Sequence, residues 1–120
     1  MEKEQHRAVV ESFQQGSIIY SINLEEKTVS VVASKAEKDE NIIIPHSINY
    51  KSAEYVITSI SNYAFEYSEL KSIQFHPDSE IRIIDCEAFK NSTIESITIS
   101  PHLTTIGNAA FSFCHRLRSI

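Results

Sequence analysis

The sequence predicts a stacked solenoid of parallel β-strands with short helical turns, closed at its N-terminal side by a β-hairpin cap. Three observations carry this expectation: a recurring segment, alternating strand patterns after each copy, and a hairpin pattern ahead of them. The segment reads ISNYAFEYSELKSI from Ile60, IDCEAFKNSTIESI from Ile84 and IGNAAFSFCHRLRSI from Ile106. Its Ala-Phe pair falls at Ala64-Phe65, Ala88-Phe89 and Ala110-Phe111, in steps of 24 and 22 residues. A period in that range marks units that bury an apolar face only by stacking on one another.

Aligned, the copies form columns with physical roles. Ile60, Ile84 and Ile106 are equivalent, and Ile57, Ile81 and Leu103 precede them by three residues. Ser61, Asp85 and Gly107 suit a helix N-cap, so a helical turn is expected to carry each Ala-Phe pair. The alanine column is small enough for turns to approach closely. The phenylalanine column should stack as a spine, each ring contributing about 1.5–3 kcal/mol of burial. Ser68, Ser92 and Cys114 follow, and then strands: Leu70, Ile73 and Phe75, and Ile94, Ile97 and Ile99, with Gln74 and Thr98 facing outward. Pro77 and Pro101 are placed at equivalent turns. Lys71, Glu95 and Arg118 share a column, which parallel in-register strands would turn into a ladder of alternating charge.

Ahead of the repeats, residues 18–33 read as strand, Glu-Glu-Lys turn, strand. Residues 35–41 form a charged loop, Asn41–Ile44 a strand, and Tyr55–Ile60 an extended lead-in. The expected organisation is a polar segment over 1–17, compatible with a short helix over 3–14, a hairpin cap and lead-in over 18–56, and repeats over 57–120. The third repeat stops at Ile120 without a cap, so self-association through the open C-terminal end is expected.

Apolar residues make up 42% of the 120, enough for a core, and the formal charge is −5. That mild acidity disfavours nucleic-acid binding, which needs clustered Lys and Arg. The start MEKEQHRAVVESFQQ is not a secretory signal, and the longest aliphatic run is Ile42-Ile43-Ile44, so no membrane insertion is expected and the chain as written reads as cytoplasmic. Cys86 and Cys114 read as buried free thiols.

The consensus I-x-x-A-F-x-x-[S/C]-x-x-L-x-S-I resembles the BspA-type (Treponema-type) leucine-rich repeat family over residues of about 42–120. Gly107, Ala110, Phe111, Cys114, Leu117 and Ile120 fall on family positions. In the first two copies Ser replaces the Cys and one residue is missing before the Leu. The resemblance implies a leucine-rich-repeat solenoid and a role in surface or secreted adhesion to host proteins or cells, a surface-antigen type of protein.

No phosphate loop, zinc-protease helix, nucleophile elbow or C-x-x-C pair occurs. The expectation is therefore no enzyme, no metal and no cofactor. His46, His76 and His102 flank prolines as solvated turn histidines, with His102 sharing a column with Asp78. Asn91-Ser92-Thr93 is a glycosylation sequon. His115, Arg116 and Arg118 read as a solvated repeat face. The candidate binding face is the solvent side of the strands: Lys71, Ser72, Gln74, Glu95, Ser96, Thr98, Arg118 and Ser119. It would present side chains to a protein or glycan ligand. Tyr63 and Tyr67 offer a second contact surface on the turn side. The alternative is an intracellular scaffold or regulatory recognition domain of the same architecture.

Overall fold

The computed structural model describes residues 9–118. Ten strands follow in order: β1 (Val10–Gln15), β2 (Ile18–Asn23), β3 (Thr28–Ser34), β4 (Asn41–Ile44), β5 (Ser47–Tyr50), β6 (Ala53–Ile60), β7 (Ser72–Phe75), β8 (Ile83–Ile84), β9 (Ser96–Ile97) and β10 (Thr105–Ile106). They build two sheets. The first runs β1-β2-β3-β6-β8-β10, with β5 paired to β6, and the second runs β4-β7-β9. From β3 onward the stacked pairs of the first path are parallel, as are both pairs of the second. Each full coil is thus a strand of the first sheet, a turn bearing Ala-Phe, a strand of the second sheet, and a return turn.

The hairpin forms because Asn23 organises its turn. Its side-chain oxygen accepts from the Glu25 and Glu26 amides at 3.0 and 2.9 Å, and Lys27 takes a left-handed φ of 60°. Ile18, Tyr20, Ile22, Val29 and Val31 alternate into the core at no more than 4% exposure. The hairpin caps by continuing the first sheet: β3 pairs parallel with β6, matching Val29 to Ile57 and Val31 to Ile60.

Two expectations need correction. Residues 10–15 are not helical but form β1, antiparallel to β2 with Phe13 opposite Tyr20. Phe13 packs on Tyr50 at 5.1 Å between ring centroids, and Gly16 at φ 59° closes the tight turn. Pairing an open sheet edge satisfies this segment's backbone. The rest of the expected helix, residues 3–8, lies outside the described residues.

The second correction concerns the Phe turns. Among the described residues there is no helix. Each turn is instead a run of three bends, with i→i+3 bonds such as Ala88 N to Asp85 O, Lys90 N to Glu87 O and Ser92 N to Phe89 O at 3.3, 3.3 and 3.0 Å. Left-handed residues punctuate the bends: Tyr63 and Tyr67, Glu87 and Asn91, Ala109 and Phe113, all with φ of 57–61°. The reason is the stacking itself. A helix directs every amide along its own axis, whereas here alternate amides bond the next coil. Phe65 N reaches Ala88 O at 2.7 Å, Phe89 N reaches Ala110 O at 2.7 Å, and Tyr67 N and Asn91 N reach Lys90 O and Ser112 O at 2.9 and 2.8 Å. The turns therefore make a third hydrogen-bonded ladder.

Inside the coils, the phenylalanine spine is present. Phe65 stacks on Phe89 at 4.9 Å and 3° between planes, and Phe89 on Phe111 at 5.1 Å and 7°. Ala64, Ala88 and Ala110 are all buried. Phe111 is only half-buried, and Ile99 and Ile106 are 38% and 48% exposed. Phe75 and Ile84, the counterparts of Ile99 and Ile106, are covered by the coil that follows, whereas Ile106 and Phe111 lie in the last described coil and Ile99 follows β9, the last described strand of the second sheet. Cys86 and Cys114 are free and half-buried rather than fully enclosed. Cys114 Sγ donates to Phe89 O at 2.9 Å, and burial pushes its thiol pKa up.

Candidate functional site

The predicted strand face is the outer surface of the second sheet. The register sets Asn41 beside Ser72 beside Ser96, and Ile43 beside Gln74. Side chains at alternate positions turn inward, with Ile42, Ile44, Ile73, Phe75 and Ile97 buried. The remaining positions form straight rows across the strands at a spacing of about 4.8 Å.

One row is charged. Lys71 N bonds Glu40 O at 2.7 Å, Glu95 N bonds Lys71 O at 2.7 Å, and Arg118 N bonds Glu95 O at 2.9 Å. These backbone links align four residues of alternating sign, Glu40, Lys71, Glu95 and Arg118, with the Glu40 carboxylate turned to Ser17 Oγ and the Glu37 amide. Arg118 Nη2 closes on Glu95 Oε1 at 2.9 Å, with side chains 77% and 24% exposed. The next row is polar: Ser72 Oγ lies 2.6 Å from Asn41 Oδ1, and Ser96 continues it. In the third, Gln74 is exposed while Thr98 Oγ1 turns back to accept the Phe75 amide at 3.1 Å. The structure thus brings Lys71, Ser72, Gln74, Glu95, Ser96, Thr98 and Arg118 onto one face. Ser119 lies outside the described residues. Beside this face His115, Arg116, Arg118 and Glu95 line an open hollow of about 320 Å³.

Glu40, Asn41 and Ile43 belong to the same face and were missed. Asn41 and Ser72 are 31 residues apart, outside the 24- and 22-residue steps, so the repeat alignment stops short of them. The alternation in Asn41–Ile44 was the available signal.

On the turn side, Tyr63, Tyr67 and Phe113 are 50%, 67% and 59% exposed. Tyr67, Asn91 and Phe113 occupy the same left-handed position in successive turns. Tyr63 donates to Glu87 Oε1 at 2.9 Å, and Lys90 bridges to Glu87 Oε2 at 3.1 Å. Those two contacts, the tyrosine first, hold the Glu87 carboxyl below its usual range. Phe113 escaped the sequence reading because it replaces Tyr67 and Asn91 in a column of mixed types.

The histidines are rearranged relative to expectation. His102 Nε2 stands 4.0 Å from Glu80 Oε2, so Glu80 rather than Asp78 is its neighbour. The return turn of the 22-residue coil is shorter. Ser100 Oγ reaches Ser79 O at 3.4 Å, and each serine accepts the amide two residues on. Ser79 and Ser100 are the equivalent positions, so Pro77 and Pro101 fall on opposite sides of them and are not equivalent. His46 and His76 approach to 6.3 Å between rings. Among the described residues no group of three or more His, Cys, Asp or Glu could share a metal ion.

Comparison with solved structures shows the same fold. A leucine rich cell surface protein from Faecalibacterium prausnitzii A2-165 matches with a TM-score of 0.72 and 24% identity, over 92% of this chain and 30% of that one. The pneumococcal vaccine antigen PcpA matches with a TM-score of 0.59 and 23% identity, over 94% and 38%. A leucine-rich repeat protein from Bacteroides capillosus matches with a TM-score of 0.58 and 18% identity, over 90% and 96%. The chain therefore spans about a third of the length of the first two. No curated protein matches it. The model of the BspA type leucine rich repeat region (6 copies) matches residues 45–120, more than half of the sequence. Together with the stacked coils and their phenylalanine spine, that match shows that the chain belongs to the BspA-type leucine-rich repeat family.

Proposed function

We propose that the chain is a non-enzymatic recognition module that binds a partner protein through the outer face of its second sheet. The observation that carries this reading is the row Glu40, Lys71, Glu95 and Arg118, held at strand spacing by consecutive backbone bonds. Side chains on a rigid ladder lose little further backbone entropy on binding, which favours recognition by preorganisation. Alternating charges beside rows of hydroxyl and amide groups suit a polar partner surface of complementary sign, and they favour specificity and encounter rate over raw affinity. Affinity is then raised by repeating the face along a longer array. Two structural neighbours, a cell surface protein and a vaccine antigen, support a surface setting.

A photocrosslinking residue placed at Gln74 tests this in intact cells of the source, with one at Tyr67 as the comparison. The expected result is a saturable adduct at Gln74 that disappears in the Lys71→Glu, Arg118→Glu double variant. Adducts from Tyr67 alone, insensitive to those charge reversals, would move the site to the aromatic turn edge. Fractionation of the tagged full-length protein separates the surface setting from the intracellular scaffold.

A further inference from the structure

The chain carries five tyrosines, six phenylalanines and no tryptophan. Of these rings only Tyr63, Tyr67 and Phe113 are exposed, and all three lie on the edge formed by the Phe turns. The others are buried or half-buried. Each exposed ring also sits on a left-handed backbone, with φ of 61°, 59° and 59°. Glycine or asparagine takes that conformation most readily, and a bulky side chain there is an outlier. Asn91, at the same position of the intervening coil with φ 60°, shows that the turn forms without an aromatic residue. Neither burial nor backbone preference therefore accounts for the three rings. Exposed residues held against their backbone preference point to a function rather than to folding.

The rings are also periodic. Tyr67 N bonds Lys90 O at 2.9 Å and Asn91 N bonds Ser112 O at 2.8 Å, so the turns carrying Tyr67, Asn91 and Phe113 follow one another in register. Tyr67 and Phe113 are thus two coil spacings apart, roughly 10 Å along the stack. Asn91 stands between them, half-buried, with an amide that can both donate and accept. Beside this column the Glu87 carboxylate accepts from Tyr63 at 2.9 Å and pairs with Lys90 at 3.1 Å, so those two charges offset one another.

We propose that this edge is a carbohydrate-binding site whose ligand is a neutral, extended β-1,4-linked glycan lying along the stacking axis. The apolar C–H face of a hexose packs on the electron-rich face of an aromatic ring. Successive sugars of such a glycan alternate in orientation, so every second one turns the same face to the same side. That two-sugar repeat matches the separation of Tyr67 and Phe113, and the sugar between them sets its hydroxyls against the Asn91 amide. An α-1,4-linked chain coils and does not keep the repeat. The period of the rings, more than their exposure, selects a repeating ligand over a protein surface. The site is separate from the outer face of the second sheet, and its test is independent of that face.

Cellohexaose and chitohexaose are the probes, with α-1,4-linked maltohexaose as the comparison, each titrated into the full chain and followed by NMR. Saturable shifts are expected at Tyr67, Asn91 and Phe113 with a β-linked probe and none with maltohexaose. Tyr67→Ala and Phe113→Ala should each weaken binding by about tenfold or more. Tyr67→Phe should retain it, and Lys71→Glu on the strand face should leave it unchanged. Tyr67→Asn separates function from folding. It should abolish binding without lowering the thermal midpoint, because asparagine accepts the left-handed backbone. No saturable shift with either β-linked probe, equal binding of maltohexaose, binding that survives Tyr67→Ala, or a midpoint lowered by Tyr67→Asn would each overturn the proposal.

Discussion

Phe65 and Phe89 lie face to face, 4.9 Å apart and within 3° of parallel, although 24 residues of chain separate them. Phe89 continues the same contact to Phe111 on its other side at 5.1 Å. A ring covered on both faces has no neighbour able to collapse into its space. Phe89→Ala is therefore expected to cost about 3–5 kcal/mol, read as a lowered urea midpoint. Phe111→Ala should cost less, because that ring is half-buried. Equal losses at the two positions would contradict the spine as the centre of the core.

The spine was legible in the sequence because a stacked ring must recur at a fixed place in every coil. The turns that carry it were not. Their left-handed positions hold Tyr63, Glu87 and Ala109, and Tyr67, Asn91 and Phe113. With no glycine there, nothing marks a left-handed bend, and Ser61 and Asp85 mimic helix caps. The short strands β8 and β10, two residues each, leave no alternation to detect, which hid the repeats' share of the first sheet. The proposed face follows the repeat alignment along β7 and β9, where the 24-residue step holds. It was truncated at Glu40, where the chain leaves that period. The shared column of Asp78 and His102 did not hold because the alignment carried a constant step through a turn that shortens.

Ser68 and Ser92 occupy one column with opposite fates. Ser92 Oγ donates to Ser68 O at 3.1 Å and accepts the Ile94 amide at 3.2 Å. Ser68 Oγ is buried without a partner among the described residues, because the loop over 35–40 on its other side is not a Phe turn. Ser92→Ala should destabilise by about 1–3 kcal/mol. Ser68→Ala should be neutral or stabilising, since it removes a buried hydroxyl that has nothing to bond. Thermal midpoints of the two variants, compared directly, check the asymmetry; equal losses would contradict it.

Glu95 and Arg118 form a partly exposed pair at 2.9 Å. A double-mutant cycle with Glu95→Gln and Arg118→Gln should give a coupling of about 0.2–1 kcal/mol at low salt. It should fade as ionic strength rises. A coupling that does not respond to salt would mean that the backbone bond, not the charges, ties the two strands.

Glu87 supplies a pH-dependent contact on the turn edge. The Tyr63 hydroxyl and then the Lys90 ammonium lower its pKa in the folded chain. A carboxyl whose folded value lies below its unfolded value adds stability above the ordinary carboxylate pKa, and that contribution is lost as pH falls through the folded value. Tyr63→Phe should raise the Glu87 pKa towards the usual range and move the acid-unfolding limb to higher pH. Carbon-detected NMR titration of the Glu87 carboxyl reads this directly, and an unchanged titration would remove Tyr63 as its main partner.

Gly107 holds the position that Ser61 and Asp85 hold in earlier coils, for a reason of space. A Cβ there would stand 2.5 Å from Cys86 N, 2.8 Å from Asp85 C and 2.9 Å from Cys86 Cα. These are backbone atoms of the preceding coil, which cannot rotate aside as a side chain would. The same coils are tied by Gly107 N to Ile84 O at 2.7 Å, so relief of the clash must lengthen that bond. Gly107→Ala is expected to cost about 1–3 kcal/mol and to speed amide exchange at Gly107 and Phe89 while leaving β2 and β3 protected. Gly16→Ala provides the contrast. Its Cβ would meet nothing within 4 Å, but φ is +59°, so it should cost about 1–2 kcal/mol of backbone strain and leave the Phe89 amide unaffected. Exchange that quickens at Phe89 in both variants, or in neither, would show that close coil contact is not what selects glycine at position 107.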